Sequence, residues 1–247
     1  MGIALWDNLK AQPDAARALE NYRLLAAGYD DTCTRILALR QRAVRELNLV
    51  RGETVLDIAC GTGPILPDLA SAVGPTGRVI GVELSPEMAA SARRRVDALG
   101  LSDSVQILES AVESMQVSQR ADALLLCYTH DVLQSPRAIE RMVLAAKPGA
   151  RMAVVGMKTL PWLWGWPANL YNLYRARHYL TTFRNLRRPW QLIEERGAVL
   201  RVVHSALWGS AYIAVGTLAD RRPMKSPAPV LTPFSTPPQA ESPKANR

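Results

Sequence analysis

The chain has 247 residues, nearly half of them apolar, which is ample for one large domain with a buried core. Its net charge of +8 is uneven: residues 221–247 hold five Lys and Arg against one Glu and supply +4, so the rest is only mildly basic and global nucleic-acid binding is disfavoured. Cys33, Cys60 and Cys127 are too few and too scattered for a disulfide framework or a cysteine-built metal site, no run approaches the length of a membrane span, and the N-terminus does not read as a signal peptide, so a cytoplasmic location is expected.

Helical spacing around 34–47 leads into a predicted strand at 54–59, "TVLDIA". A helix over 64–73 and a strand over 78–84, "RVIGVEL", follow. The segment "SPEMAASARRRVDALG" opens with Ser85 as a helix cap and Pro86 at the first helical position, and it closes on Gly100. Strands are predicted at 104–110 and 121–129, and "SPRAIERMVLAAKPG" repeats the Ser-Pro start and Gly stop before a fifth strand at 150–158. After an irregular stretch come a helix at 189–197 and strands at 199–207 and 210–218. Strands alternating with helices of this length predict an α/β fold, a Rossmann-like, doubly wound, mostly parallel sheet. The last two strands are joined by too few residues for a parallel crossover, so the final strand should run antiparallel. Residues 221–247 contain seven prolines and few large apolar side chains, the composition of a disordered tail.

The decapeptide "VLDIACGTGP" (55–64) joins the first strand to the next helix with almost no side chain. Gly61 and Gly63 permit a tight turn and close approach of a ligand to the backbone. A dinucleotide fingerprint would need a third glycine where Leu66 stands, and Asp57 just before the loop would repel a pyrophosphate. A carboxylate there suits an ammonium or sulfonium. One strand later Glu83 stands twenty residues past Gly63, placed to accept hydrogen bonds from ribose hydroxyls. A ribose with a cationic amino-acid end and no pyrophosphate describes S-adenosyl-L-methionine.

The successive stretches "VLDIACGTG", "GVELSPEM", "ADALLLCYTHDVL" and "LAAKPGARMAVV" resemble the motifs of class I S-adenosylmethionine-dependent methyltransferases, nearest to the ubiquinone/menaquinone-biosynthesis and related small-molecule and lipid enzymes. The resemblance spans roughly 20–160 and, through the last strand, the sheet to about 218. It implies a seven-stranded sheet and a cofactor site built from Tyr29, Asp57, Ala59, Gly61, Gly63, Glu83, Leu84, Ser110, Ala111 and Cys127, with no metal. Within it the glycine loop runs beneath the cofactor, Asp57 orients the methionine end, Glu83 the ribose, and Leu84 flanks the adenine. Tyr29, in "GYD", falls near the cofactor carboxylate. Ala59 replaces the first glycine of the usual loop, and Ser110-Ala111 stands where many relatives place Asp-Ala. Cys127 reads as a packed strand residue rather than a nucleophile.

Methyl transfer is an in-line displacement, so catalysis rests chiefly on positioning the acceptor. The acceptor is expected at the end of strand four, where Tyr128, His130 and Asp131 lie together. His130 is the candidate general base, with Asp131 or Tyr128 orienting the acceptor; the alternative is a His-Asp pair that merely caps a strand end. The run "LCYTHD" matches neither the Asn/Asp-Pro-Pro-aromatic nor the Pro-Cys pattern of nucleic-acid base methyltransferases.

Residues 159–190 hold eight of the fifteen aromatic residues, and from Arg141 to Ile193 there is no Asp or Glu against nine Lys and Arg. Relatives use this segment as a substrate cap. Aromatic walls favour a lipophilic or aromatic small molecule, and the arginines favour an anionic group or an anionic membrane face, so a peripheral contact at the inner membrane surface is expected through this cap. The alternative is packing alone. The expected organisation is N-terminal helices and partial lid 1–50, cofactor core 51–158, cap 159–190, end of the sheet 191–220 and tail 221–247. The competing functions are a phospholipid N-methyltransferase, a non-catalytic S-adenosylmethionine-binding partner, and an RNA binder working through the cap.

Overall fold

The structure, a computed structural model, describes residues 11–25 and 29–219, with side chains at 11–23 and 36–219. The predicted tail 221–247 and Gly28 therefore lie outside the described residues, as does the side chain of Tyr29. Two helices, α1 (Ala15–Leu25) and α2 (Tyr29–Glu46), precede β1 (Thr54–Ile58), α3 (Leu66–Val73), β2 (Arg78–Glu83), α4 (Pro86–Ala98), β3 (Val105–Glu109) and β4 (Ala121–Cys127). A single turn α5 (His130–Leu133), then α6 (Pro136–Ala145), β5 (Ala146–Met157), α7 (Trp162–Ala176), the short α8 (Gln191–Glu194), β6 (Ala198–Ala206) and β7 (Ala211–Leu218) complete the order.

The seven strands form one sheet in the order β3-β2-β1-β4-β5-β7-β6. Strands β1 to β5 pair in parallel and β7 runs antiparallel between β5 and β6, as the short final connection requires. β1 is buried along its whole length, as expected of a central strand covered on both faces. The pleat divides the core. Leu56, Ile58, Leu124 and Leu126 pack on the side of α6 and α8, whereas Val55, Ala123 and Leu125 pack on the side of α2, α3 and α4. Asp57 shares neither set with its immediate neighbours: alternation puts it on the Val55 face, under α2.

Both Ser-Pro helix starts form as the spacing predicts. Ser85 Oγ accepts from Met88 N and Ser135 Oγ from Ala138 N, at 3.4 and 3.2 Å. Three expectations need correction. The helix expected over 64–73 begins at Leu66, because Gly63 to Ile65 are still in the turn. The helix expected over 189–197 is only one turn long. The irregular stretch contains α7, which continues through Pro167.

Candidate active site

The strand order reverses between β1 and β4, and the crevice beyond the carboxyl ends of such strands is where open α/β sheets bind ligands. A cavity of about 590 Å³ lies there. One end is walled by Ala59, Gly61, Val82, Glu83, Leu84, Ser85, Met88, Ala111 and Val112, the other by Cys127, Tyr128, Thr129, His130, Asp131 and Val132. Residues 12–22 close one side and Tyr179 and Leu180 the roof.

Glu83 is fixed by the turn it faces. One carboxylate oxygen accepts from Gly61 N and the other from Ser85 N, each at 2.8 Å. Burial raises its pKa, while these amides pull the other way. Gly61 adopts φ +62°, so the turn that presents its N–H to Glu83 uses the left-handed region glycine tolerates. Ala59 (φ +53°) and Tyr128 (φ +60°) hold the same conformation without being glycine, one residue past β1 and β4 respectively. Strained residues thus flank the switch point on both sides.

Some residues expected in the cofactor site stand behind the wall rather than on it. Gly63 is confined by packing, since a Cβ there would come within 2.5 Å of Leu66 and 3.2 Å of Ala92. Ser110 Oγ donates back to Ala111 O at 2.9 Å, leaving Ala111 as the lining residue of that pair. Cys127 lines the cavity but is buried with its thiol pushed far up by desolvation, which suits the packed strand residue expected.

Asp57 is 1 % exposed, and its Oδ2 has no hydrogen-bond partner among the described residues. Burial lifts its pKa to about 7; the Arg40 guanidinium opposes the shift and Glu83 adds to it. Arg40, on α2, also lies 6.0 Å over the Tyr128 ring. Sequence reasoning missed this arginine, because nothing local distinguishes it from the other basic residues of α2. For an acid whose folded-state pKa is raised, stability is greatest below the unfolded value and declines as pH rises through the folded one. The Asp57 contribution should therefore give the thermal midpoint a downward slope from about pH 4 to about 7, worth up to about 4 kcal/mol, superimposed on the opposite slope of His130, which is buried in its neutral form. Asp57→Asn should flatten that slope in a calorimetric pH series; an unchanged slope would refute the assignment.

At the acceptor end Tyr128 has its hydroxyl pushed up to about 12 by burial, with Arg40 opposing. His130 is the first residue of the short helix α5, whose N-cap is Thr129, and is 6 % exposed. Among the described residues its two ring nitrogens make no hydrogen bond of ordinary geometry, and burial lowers its pKa to about 4, against the nearby Arg184 backbone. It is therefore neutral at pH 7. Asp131 is engaged elsewhere than expected. Its Oδ2 accepts from Thr181 N (2.8 Å) and Thr181 Oγ1 (2.7 Å), and its Oδ1 from Thr182 N (3.3 Å). Those threonines in turn hold the N-terminal segment: Asp14 N donates to Thr181 Oγ1 at 3.0 Å, and Thr182 Oγ1 to Ala11 O at 2.7 Å. Asp131 thus ties strand four to the roof and side of the cavity. No cluster of residues able to hold a metal occurs among the described residues.

A family profile described as a methyltransferase domain matches residues 55–149, the stretch that carries the switch point. The chain is similar to the demethylmenaquinone methyltransferase of Oceanobacillus iheyensis, 29 % identical over 117 residues, covering 47 % of this chain and 49 % of the relative. It is 32 % identical over 148 residues to the ubiquinone/menaquinone biosynthesis C-methyltransferase of Ectopseudomonas mendocina, covering 57 % and 58 %. The chain therefore spans about half to three-fifths of the curated relatives it matches. Among solved structures it shares its fold with an S-adenosylmethionine-dependent methyltransferase of Aquifex aeolicus, at TM-score 0.53 and 22 % identity over 73 % of this chain and 89 % of that one. An S-adenosylmethionine-dependent O-methyltransferase of Thermotoga maritima aligns at TM-score 0.55 and 20 % identity, over 74 % and 65 %.

Proposed function

We propose that the chain, which matches a methyltransferase-domain profile over residues 55–149, is a class I S-adenosylmethionine-dependent enzyme that methylates an oxygen or carbon of a lipophilic or aromatic small molecule. The observation that carries the reading is the single cavity joining Glu83 to the Tyr128–Asp131 turn, because one continuous space holds cofactor and acceptor end to end. The cofactor supplies an electrophilic methyl group on a sulfonium. Glu83 takes the ribose hydroxyls on the lone pairs its two amides leave free. Leu84, Met88, Ala111 and Val112 form an apolar slot for the adenine. Ala59 and Gly61 bring backbone against the ligand, and Asp57, with its unpartnered oxygen behind them, supplies negative potential for the cationic end; Tyr29 is kept for the carboxylate.

The acceptor meets the methyl group beside Tyr128 and His130, under Tyr179 and Leu180. Largely apolar walls and a volume of this size suit a drug-sized ring or an isoprenoid head better than a free phosphate ester. The quinone-biosynthesis names of the relatives favour the same class and favour carbon as the acceptor atom. His130, which lines the cavity and whose ring nitrogens have no geometric hydrogen-bond partner among the described residues, is the group to take the acceptor proton. His130→Ala is expected to lower turnover by about 10²–10⁴-fold, with cofactor affinity unchanged. A phospholipid amine attacks the methyl group as its free base and would need no such help, so a loss of less than about threefold would favour the N-methyltransferase reading.

The direct test incubates the protein with methyl-labelled S-adenosylmethionine and a lysate of its host, then extracts with organic solvent. Label in the organic phase supports the proposal. Label in precipitated RNA or protein overturns it, and confirmed cofactor binding without transfer makes the chain a non-catalytic partner.

A further inference from the structure

Helix α7 lacks the polar outer face of an ordinary surface helix. Its buried stripe is Gly165, Asn169, Leu173 and Ala176, and Asn169 pins it by exchanging hydrogen bonds of 2.8 and 2.9 Å with the Leu160 backbone. The opposite face, where a surface helix normally carries charge, presents Leu163, Trp166, Leu170 and Tyr174, spaced as i, i+3, i+7 and i+11. Trp162, Trp164 and Tyr171 flank that stripe, all more than half exposed, and Leu163 is 93 % exposed. The turn at Leu207–Gly209 adjoins the start of the helix: Lys158 N donates to Ser210 O at 2.7 Å, and a Cβ on Gly209 would touch Leu160. It holds Trp208 87 % exposed.

Within its own segment the charge has one sign. The Arg175 guanidinium stands 5.9 Å from the centre of the Tyr171 ring and that of Arg177 3.6 Å from the Tyr174 ring, so cationic groups border the aromatic ones. No acid occurs between Arg141 and Ile193. Trp and Tyr with Arg alongside is the composition of a segment lying in the headgroup layer of a membrane. At fifteen residues with an internal proline, α7 is no span, and no described helix is long and apolar enough to cross a membrane.

We propose that the outward face of α7, together with the Leu207–Trp208 turn, docks the protein on an anionic lipid surface. A second copy of the chain fits this face poorly, because two such faces would oppose their arginines with no acid between them. Beyond α7 the chain passes directly to Tyr179 and Leu180 in the cavity roof, so docking brings the acceptor end of the cavity to the apolar phase. Only that last point rests on the lipophilic-acceptor reading.

The test is flotation of the full chain with phosphatidylcholine vesicles, with and without phosphatidylglycerol, at low and high salt. Wild type should bind only the phosphatidylglycerol vesicles and should be released by salt. Leu163→Glu with Leu170→Glu should lower partitioning by about tenfold or more. Arg175→Ala and Arg177→Ala should each lower it about fivefold at low salt. All four positions are on the surface, and unchanged thermal midpoints would confirm that the variants fold. Absence of wild-type binding overturns the proposal, as does equal binding by the variants. It is also overturned if the leucine variants instead dissolve a lipid-free dimer seen by sedimentation. Because flotation reads binding alone, vesicle binding without label in an organic extract would leave the docking face standing and remove the acceptor reading.

Discussion

Replacing Glu83 by Gln is expected to weaken S-adenosylmethionine binding by about a hundred- to thousandfold, measured by titration calorimetry. The size follows from what one carboxylate does here. Its two oxygens hold Gly61 N and Ser85 N at 2.8 Å, and a bound ribose would add hydroxyl donors to the same charged group. Hydrogen bonds to a charged acceptor are worth about 1.5–3 kcal/mol each. An amide in its place keeps one acceptor but turns an N–H toward a backbone N–H, so one side of the turn loses its anchor while the ribose loses the charge. The thermal midpoint should fall by much less than the affinity, because burial already disfavours the charged form of Glu83 and an amide is cheaper to bury. A large loss of stability with affinity changed by less than about threefold would sink the ribose role and leave Glu83 as a loop clamp only.

Asp131→Ala is expected to destabilise the protein by about 3 kcal/mol in chemical denaturation. The substitution removes one acceptor group and leaves Thr181 N, Thr181 Oγ1 and Thr182 N without it, inside a segment where both threonines are buried. The damage should spread to a distant part of the chain. Hydrogen exchange should quicken across 11–25, since Asp14 and Ala11 are held by the same two threonines. A variant with wild-type stability and exchange but reduced turnover would show instead that Asp131 acts on the acceptor.

The parts of this molecule legible in the sequence are those written locally. Ser85-Pro86 and Ser135-Pro136 announce their helices because a cap bond spans three residues, and the fully apolar run of β1 announces a strand covered on both sides. The acid at the end of β2 could be placed because a parallel crossover has a limited length. What escaped is carried by contacts between distant residues. The grip of Asp131 on Thr181 crosses fifty residues, and the approach of Arg40 to Tyr128 joins the second helix to the end of the fourth strand. Gly63 read only as a position in the cofactor loop, whereas its close packing against Leu66 and Ala92 depends on where Ala92 comes to rest. Helix α7 escaped for a different reason: its Gly165 and Pro167, with Pro161 just ahead of it, read as breakers, and its apolar residues on both faces blur the period that marks a helix.

The place of β7 between β5 and β6 has a consequence for how the protein is made. β5 and β6 leave the ribosome earlier, yet neither pairs with the other; each must wait for the last of the seven strands of this sheet. Until Ala211–Leu218 emerges, two apolar strand edges stand open, and the nascent chain is exposed to wrong pairing for that interval. A stalled or truncated chain ending before residue 211 should accordingly be a poor folder and a substrate for chaperones and proteases, however complete its cofactor-binding half.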